Sequence, residues 1–117
     1  MSELFIYHNP RCSKSRQTLA LLEQQGVKPE VIEYLKTPPS VESLSEIIGQ
    51  LGISARELLR KGEAEYKDLN LADKSLTDQQ LIQVMCDHPK LIERPIVIHK
   101  GKAKIGRPPE VVLEILQ

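Results

Sequence analysis

Tryptophan is absent from this 117-residue chain, and aromatic residues of any kind make up 3 % of it. Its core must be aliphatic, and an aromatic platform for single-stranded nucleic acid is not expected. Net charge is absent too, with 16 basic and 16 acidic residues. A general polyanion binder is basic overall, so neither nucleic acid nor an anionic membrane is an expected partner. Long apolar runs are also missing. The run Leu4-Phe5-Ile6-Tyr7 is far too short for a signal peptide or a membrane span. Cysteine is scarce: Cys12 and Cys86 lie far apart and form no disulfide framework, which points to the reducing cytoplasm. What is present is ordinary for a globular domain, at 40 % hydrophobic and 27 % charged residues. The length suits a single domain, expected over 1–117, that folds without a metal or disulfide staple.

The neutral total conceals a pattern. Residues 8–16 contain Arg11, Lys14 and Arg16 and no acid. Residues 94–109 contain Arg94, Lys100, Lys102, Lys104 and Arg107, again with no acid. The rest of the chain carries the balancing negative charge. Two such stretches that met in space would focus a positive potential on a neutral protein and form an anion site.

Local signals order the chain. Leu4–Tyr7 reads as a buried strand ending at the Asn9-Pro10 turn. A helix follows from Ser13, stopped by Gly26 and Pro29. Val31–Tyr34 reads as a second strand. Ser40 can cap a helix carrying Val41, Leu44, Ile47, Ile48 and Leu51, with Gly52 ending it. Ser54 to Glu57 and Thr77 to Gln80 are capping boxes, each opening a helix. A short helix is expected near Glu63–Leu69. Pro95–Ile98 and Ala103–Ile105 read as strands joined by a tight hairpin at Lys100-Gly101. Pro108-Pro109-Glu110 opens a last helix. The order is β-α-β, several helices, then β-β-α. This predicts an α/β, thioredoxin-like fold: a mixed four-stranded sheet with a helical insertion over about 40–89.

Cys12 lies where the first strand turns into the first helix. First-turn amides and the helix dipole favour negative charge there, on a thiolate or on a bound oxyanion. Arg11, Lys14, Arg16 and His8 add positive charge, and the thiolate is the reactive form of cysteine. Ser13, Ser15 and Thr18 offer hydroxyl groups. Arg16, four residues on, shares a helix face with position 12 and can reach an anion held there. The spacing Cys12-Ser13-Lys14-Ser15 places serine where a dithiol enzyme has its second cysteine, so turnover through a sulfur bond needs an external thiol. A tyrosine-phosphatase loop would need arginine at position 18, which is Thr18. Cys86, beside Met85 on an amphipathic helix, reads as a packed or half-exposed thiol. His99 reads as an exposed hairpin residue. His8, His88, His99 and the two cysteines lack close ligand spacing, so no metal is expected.

One ordered set of motifs runs through the chain. It comprises Tyr7-His8-Asn9-Pro10-x-Cys12, Ser15-Arg16, Thr18-Leu19, Pro38-Pro39-Ser40, Gly52-Ile53-Ser54, Leu58-Leu59-Arg60-Lys61, His88-Pro89, Arg94-Pro95-Ile96-Val97, Arg107-Pro108 and Glu110-Val111-Val112-Leu113. The set resembles the glutaredoxin-coupled arsenate reductases, the ArsC family, including its YfgD-like branch, which carries Ser13-Lys14 after the cysteine. The resemblance implies that Cys12 attacks arsenate and holds it as a covalent adduct. It implies that Arg60, Arg94 and Arg107 bind the oxyanion, that His8 favours the thiolate, and that Pro95 follows a cis peptide bond. It also implies glutathione as co-substrate, glutaredoxin as partner and no bound cofactor. Two other readings of the residues stay open. One is a thiol-disulfide oxidoreductase or deglutathionylating protein without an arsenic substrate, although such a protein has no need of three convergent arginines. The other is a non-enzymatic regulator like the Spx proteins, which bind RNA polymerase; Ser15 stands where their second cysteine would be.

Overall fold

β1 (Leu4–Tyr7) is the central parallel partner of the sheet, and its alternation sends Leu4 and Ile6 to one face. In this computed structural model, which describes residues 4–116, β1 pairs in parallel with β2 (Glu30–Ile32) and antiparallel with β3 (Ile96–His99). β3 pairs antiparallel with β4 (Lys102–Ile105), so the strand order is β2-β1-β3-β4. The parallel step needs a crossover, and α1 (Ser13–Gln24) supplies it. A mixed four-stranded sheet of this connectivity is the thioredoxin-like arrangement.

The chain forms two compact units. The first runs up to Thr37 and resumes at Arg94. Its core joins Leu4 and Ile6 of β1, Leu22 of α1, Val97 of β3, and Val112 and Ile115 of the carboxy-terminal helix. The β3–β4 hairpin turns through Lys100 (φ 51°) and Gly101 (φ 79°). Two successive positive φ values suit the right-handed twist of a two-residue hairpin.

The second unit, Pro38–Glu93, is helical. It contains α2 (Val41–Leu51), α3 (Ala55–Leu58), α4 (Ala64–Asp68), α5 (Asp78–Asp87) and a 3₁₀ turn at Pro89–Leu91. Ser40 caps α2 by accepting from the Ser43 amide, and both capping boxes close, at Ser54–Glu57 and Thr77–Gln80. α5 packs against α2 and α3. Arg56 ties down the loop after α4 by donating to the Leu71 and Asp73 carbonyls, at 2.8 and 2.9 Å. Among the described residues no helix is long and apolar enough to cross a membrane.

The structure revises three local expectations. β2 ends at Ile32, not Tyr34, because the Glu33 carbonyl accepts from the Lys36 and Thr37 amides and closes a turn. The last helix is 3₁₀ over Pro109–Leu116. Its buried residues Pro109, Val112 and Ile115 recur every third position, which a three-residue turn aligns on one stripe. His99 is half-buried at the end of β3, not an exposed turn residue, and its Nδ1 is enclosed.

Candidate active site

The site is built on the turn between β1 and α1. Asn9 organises that turn three ways. Its amide donates to Ser15 Oγ (3.1 Å), its side-chain oxygen accepts from the Arg11 amide (3.0 Å), and its carbonyl accepts from the Cys12 amide (3.0 Å). An asparagine before proline commonly forms such a turn, because its side chain reaches its own backbone two residues on. Pro10 then holds its φ near −65°. The chain enters α1 with Cys12 at the N-cap, extended at φ −95° and ψ 123°.

Cys12 makes no side-chain capping bond, and no acid occupies the first turn. Both details separate α1 from α2, α3 and α5, whose caps are serine or threonine and whose first turns each hold a carboxylate. The α1 head therefore keeps its amides and dipole available to a negative group. Cys12 is buried, 8 % exposed. Arg107 Nη2 donates to Cys12 Sγ at 3.7 Å. Arg107 Nε donates to the Arg94 carbonyl at 2.8 Å, which fixes the plane of the guanidinium. The two acid-free stretches thus meet at the sulfur, 95 residues apart in sequence. The Arg94–Pro95 peptide bond is cis, and so is Arg107–Pro108.

The remaining candidates have distinct surroundings. Ser15 is fully buried and accepts from Asn9, so its oxygen braces the turn. Arg16 Nη1 donates to the Pro10 carbonyl at 3.0 Å and closes the same turn from outside. Arg94 is half-buried, with its Nε and Nη1 enclosed. His8, 6 % exposed, has an enclosed Nδ1 with no hydrogen-bond partner, while its amide donates to the Ile32 carbonyl. Burial lowers the His8 pKa from its ordinary 6.5; Glu33 opposes the shift and Arg16 adds to it. The imidazole is therefore neutral at pH 7, and positive charge reaches the sulfur from Arg107. Arg60 belongs to the second unit, where it pairs with Glu63 at 2.7 Å and Glu93 at 3.7 Å. The Glu63 partner is legible in the i, i+3 spacing; Glu93 has no local signal.

Cys86 is half-exposed near the end of α5. Burial, with Asp87 beside it, raises its pKa. Among the described residues no group of three or more histidine, cysteine or acidic side chains could hold a metal ion. The arrangement at Cys12 suits a nucleophile: a buried sulfur at a helix head, beside an anchored guanidinium.

Comparison with known proteins agrees with this geometry. The ArsC family model matches residues 7–115. The YfgD protein of Escherichia coli K12 is 62 % identical over 112 residues, covering 95 % of this chain and 94 % of that protein. An E. coli protein named arsenate reductase is 51 % identical over 116 residues, covering 99 % of this chain and 82 % of its own. The solved structure titled arsenate reductase from Vibrio cholerae superposes with a TM-score of 0.94 at 58 % identity, covering 96 % of each chain. By its motifs, its site and these relatives, the chain belongs to the ArsC family.

Proposed function

We propose that this protein is an arsenate reductase of the glutathione/glutaredoxin type, acting in the cytoplasm. The observation that carries the reading is the contact between Arg107 Nη2 and Cys12 Sγ at the uncapped head of α1. Near-complete coverage by relatives named arsenate reductase supports it.

The chemistry follows from the residues. Arg107 presents its guanidinium to the Cys12 sulfur, and a tetrahedral oxyanion docks between that guanidinium and the first-turn amides of α1. Cys12 Sγ attacks arsenic, an S–As bond forms, and one arsenate oxygen leaves as water after protonation. Arg94 is assigned to the remaining oxyanion charge, by resemblance. A glutathione thiolate then attacks the adduct at the Cys12 sulfur. The S–As electron pair passes to arsenic, which leaves as arsenite, and Cys12 remains as a mixed disulfide with glutathione. Glutaredoxin removes the glutathione and restores the thiol. In total, As(V) gains two electrons and two thiols become one disulfide. With serine at position 15, where a dithiol enzyme has its second cysteine, there is no local thiol to resolve the adduct, so the external thiol is required.

The test is arsenate-dependent NADPH oxidation coupled through glutathione, glutaredoxin and glutathione reductase. A rate that disappears in Cys12→Ser is expected. No rate, with Cys12 still readily alkylated, would replace this reading with thiol exchange on another substrate.

A further inference from the structure

Gly106 joins β4 to the carboxy-terminal helix and immediately precedes Arg107. Of the six glycines it alone has neighbours where a side chain would begin. A Cβ at position 106 would lie 2.6 Å from Thr18 Oγ1, 2.9 Å from Pro95 Cγ and 3.1 Å from Thr18 Cγ2. Contacts below 3 Å require something to move. The Pro95 ring can repucker, but Thr18 cannot easily yield. It is fully buried, and its hydroxyl donates to the Lys14 carbonyl at 2.8 Å.

The same segment is also pinned by hydrogen bonds. The Gly106 amide donates to the Pro95 carbonyl at 2.9 Å, and the Arg107 amide closes a three-residue turn onto Ile105 at 2.9 Å. Arg107 Nε takes the preceding carbonyl, that of Arg94. Two successive carbonyls thus hold the Gly106 backbone and the Arg107 side chain, while Thr18 of α1 fills the space a Cβ would need. The backbone approaches the helix closely enough for the guanidinium to reach the sulfur at its head.

We infer that Gly106 is a positioning residue: its missing side chain lets the turn seat on Thr18 and Pro95, and this seating aims Arg107 at Cys12. The inference rests on the proposed reading of Cys12 as the nucleophile, but its readout needs no arsenate. A wild-type protein inactive toward arsenate would count against that reading and leave this one testable.

The experiment measures iodoacetamide alkylation of Cys12 at pH 7 in a Cys86→Ser background, with melting temperatures recorded alongside. Displacing a guanidinium held 3.7 Å from the sulfur should slow alkylation about tenfold in Gly106→Ala. Adding Thr18→Ala, which removes two of the three close contacts, should restore the rate to within about threefold of Thr18→Ala alone. In an Arg107→Ala background, Gly106→Ala should cost less than about twofold, because its route to the sulfur is already gone. A merely structural glycine would lower the melting temperature equally in both backgrounds and would not be masked by loss of Arg107. An unchanged rate in Gly106→Ala, a double variant as slow as the single, or a full loss on top of Arg107→Ala would each overturn the inference. Should Gly106→Ala fail to fold, Thr18→Ala/Gly106→Ala against Thr18→Ala decides: matched rates support the inference, and a tenfold deficit overturns it.

Discussion

The two cysteines sit at opposite ends of their helices, in surroundings of opposite charge. Cys12 begins α1, where amides and dipole favour negative charge and Arg107 lies 3.7 Å from the sulfur. Cys86 lies in the last turn of α5, where the dipole is reversed, Asp87 follows, and burial raises the pKa. Exposure alone would rank them the other way, because the thiol beside the guanidinium is buried and the other is half-exposed. Charge and helix polarity at the sulfur, not access alone, separate a reactive cysteine from a structural one.

The largest expected effect breaks this comparison directly. Cys12→Ser should lower arsenate-dependent turnover at least about a thousandfold, as loss of a covalent nucleophile does, whereas Cys86→Ser should stay within about twofold. Equal losses would end the asymmetry. Next comes the guanidinium. Arg107→Ala should reduce kcat/KM for arsenate about a hundredfold, the scale of losing one preorganised charge-stabilising donor. It should slow Cys12 alkylation as well and leave Cys86 alkylation unchanged.

A smaller effect involves His8. Burial holds its pKa below 6.5 in the folded protein, so the unfolded chain takes up the proton first. Stability is therefore expected to fall as pH drops from about 6.5 through the lower folded value, and this term is constant above that window. Urea midpoints at neutral and acidic pH should show the decline, and His8→Gln should flatten that part of the profile. A variant with the same acid dependence would remove His8 as its source. The smallest effect isolates the second unit. Thr77→Ala deletes the side chain that accepts from the Gln80 amide at 3.2 Å. It should cost about 1 kcal/mol in chemical denaturation while leaving Cys12 alkylation unchanged.

Much of this was readable from local chemistry. The caps at Ser40, Ser54 and Thr77, the Asn9-Pro10 turn and the Lys100-Gly101 hairpin each follow from one residue's side chain or backbone freedom. Two acid-free stretches pointed to a shared anion site, and the Arg107–Cys12 contact joins them. Other features have no local source. A carbonyl closing a turn at Glu33 shortens β2, and only the stripe that Val112 and Ile115 present to the core selects 3₁₀ over α geometry. The neutrality of His8 depends on burial, which its basic neighbours in sequence concealed. Gly106 resembles any glycine after a strand until Thr18, 88 positions earlier, is seen filling its missing side chain's place.

The most direct test of the central claim follows sulfur during one turnover. Protein, arsenate and glutathione are mixed without glutaredoxin, quenched, and digested for mass spectrometry under non-reducing conditions. A glutathione disulfide is expected on the peptide containing Cys12, formed only when arsenate is present. Glutathione on Cys86, or on Cys12 to the same extent without arsenate, would contradict it.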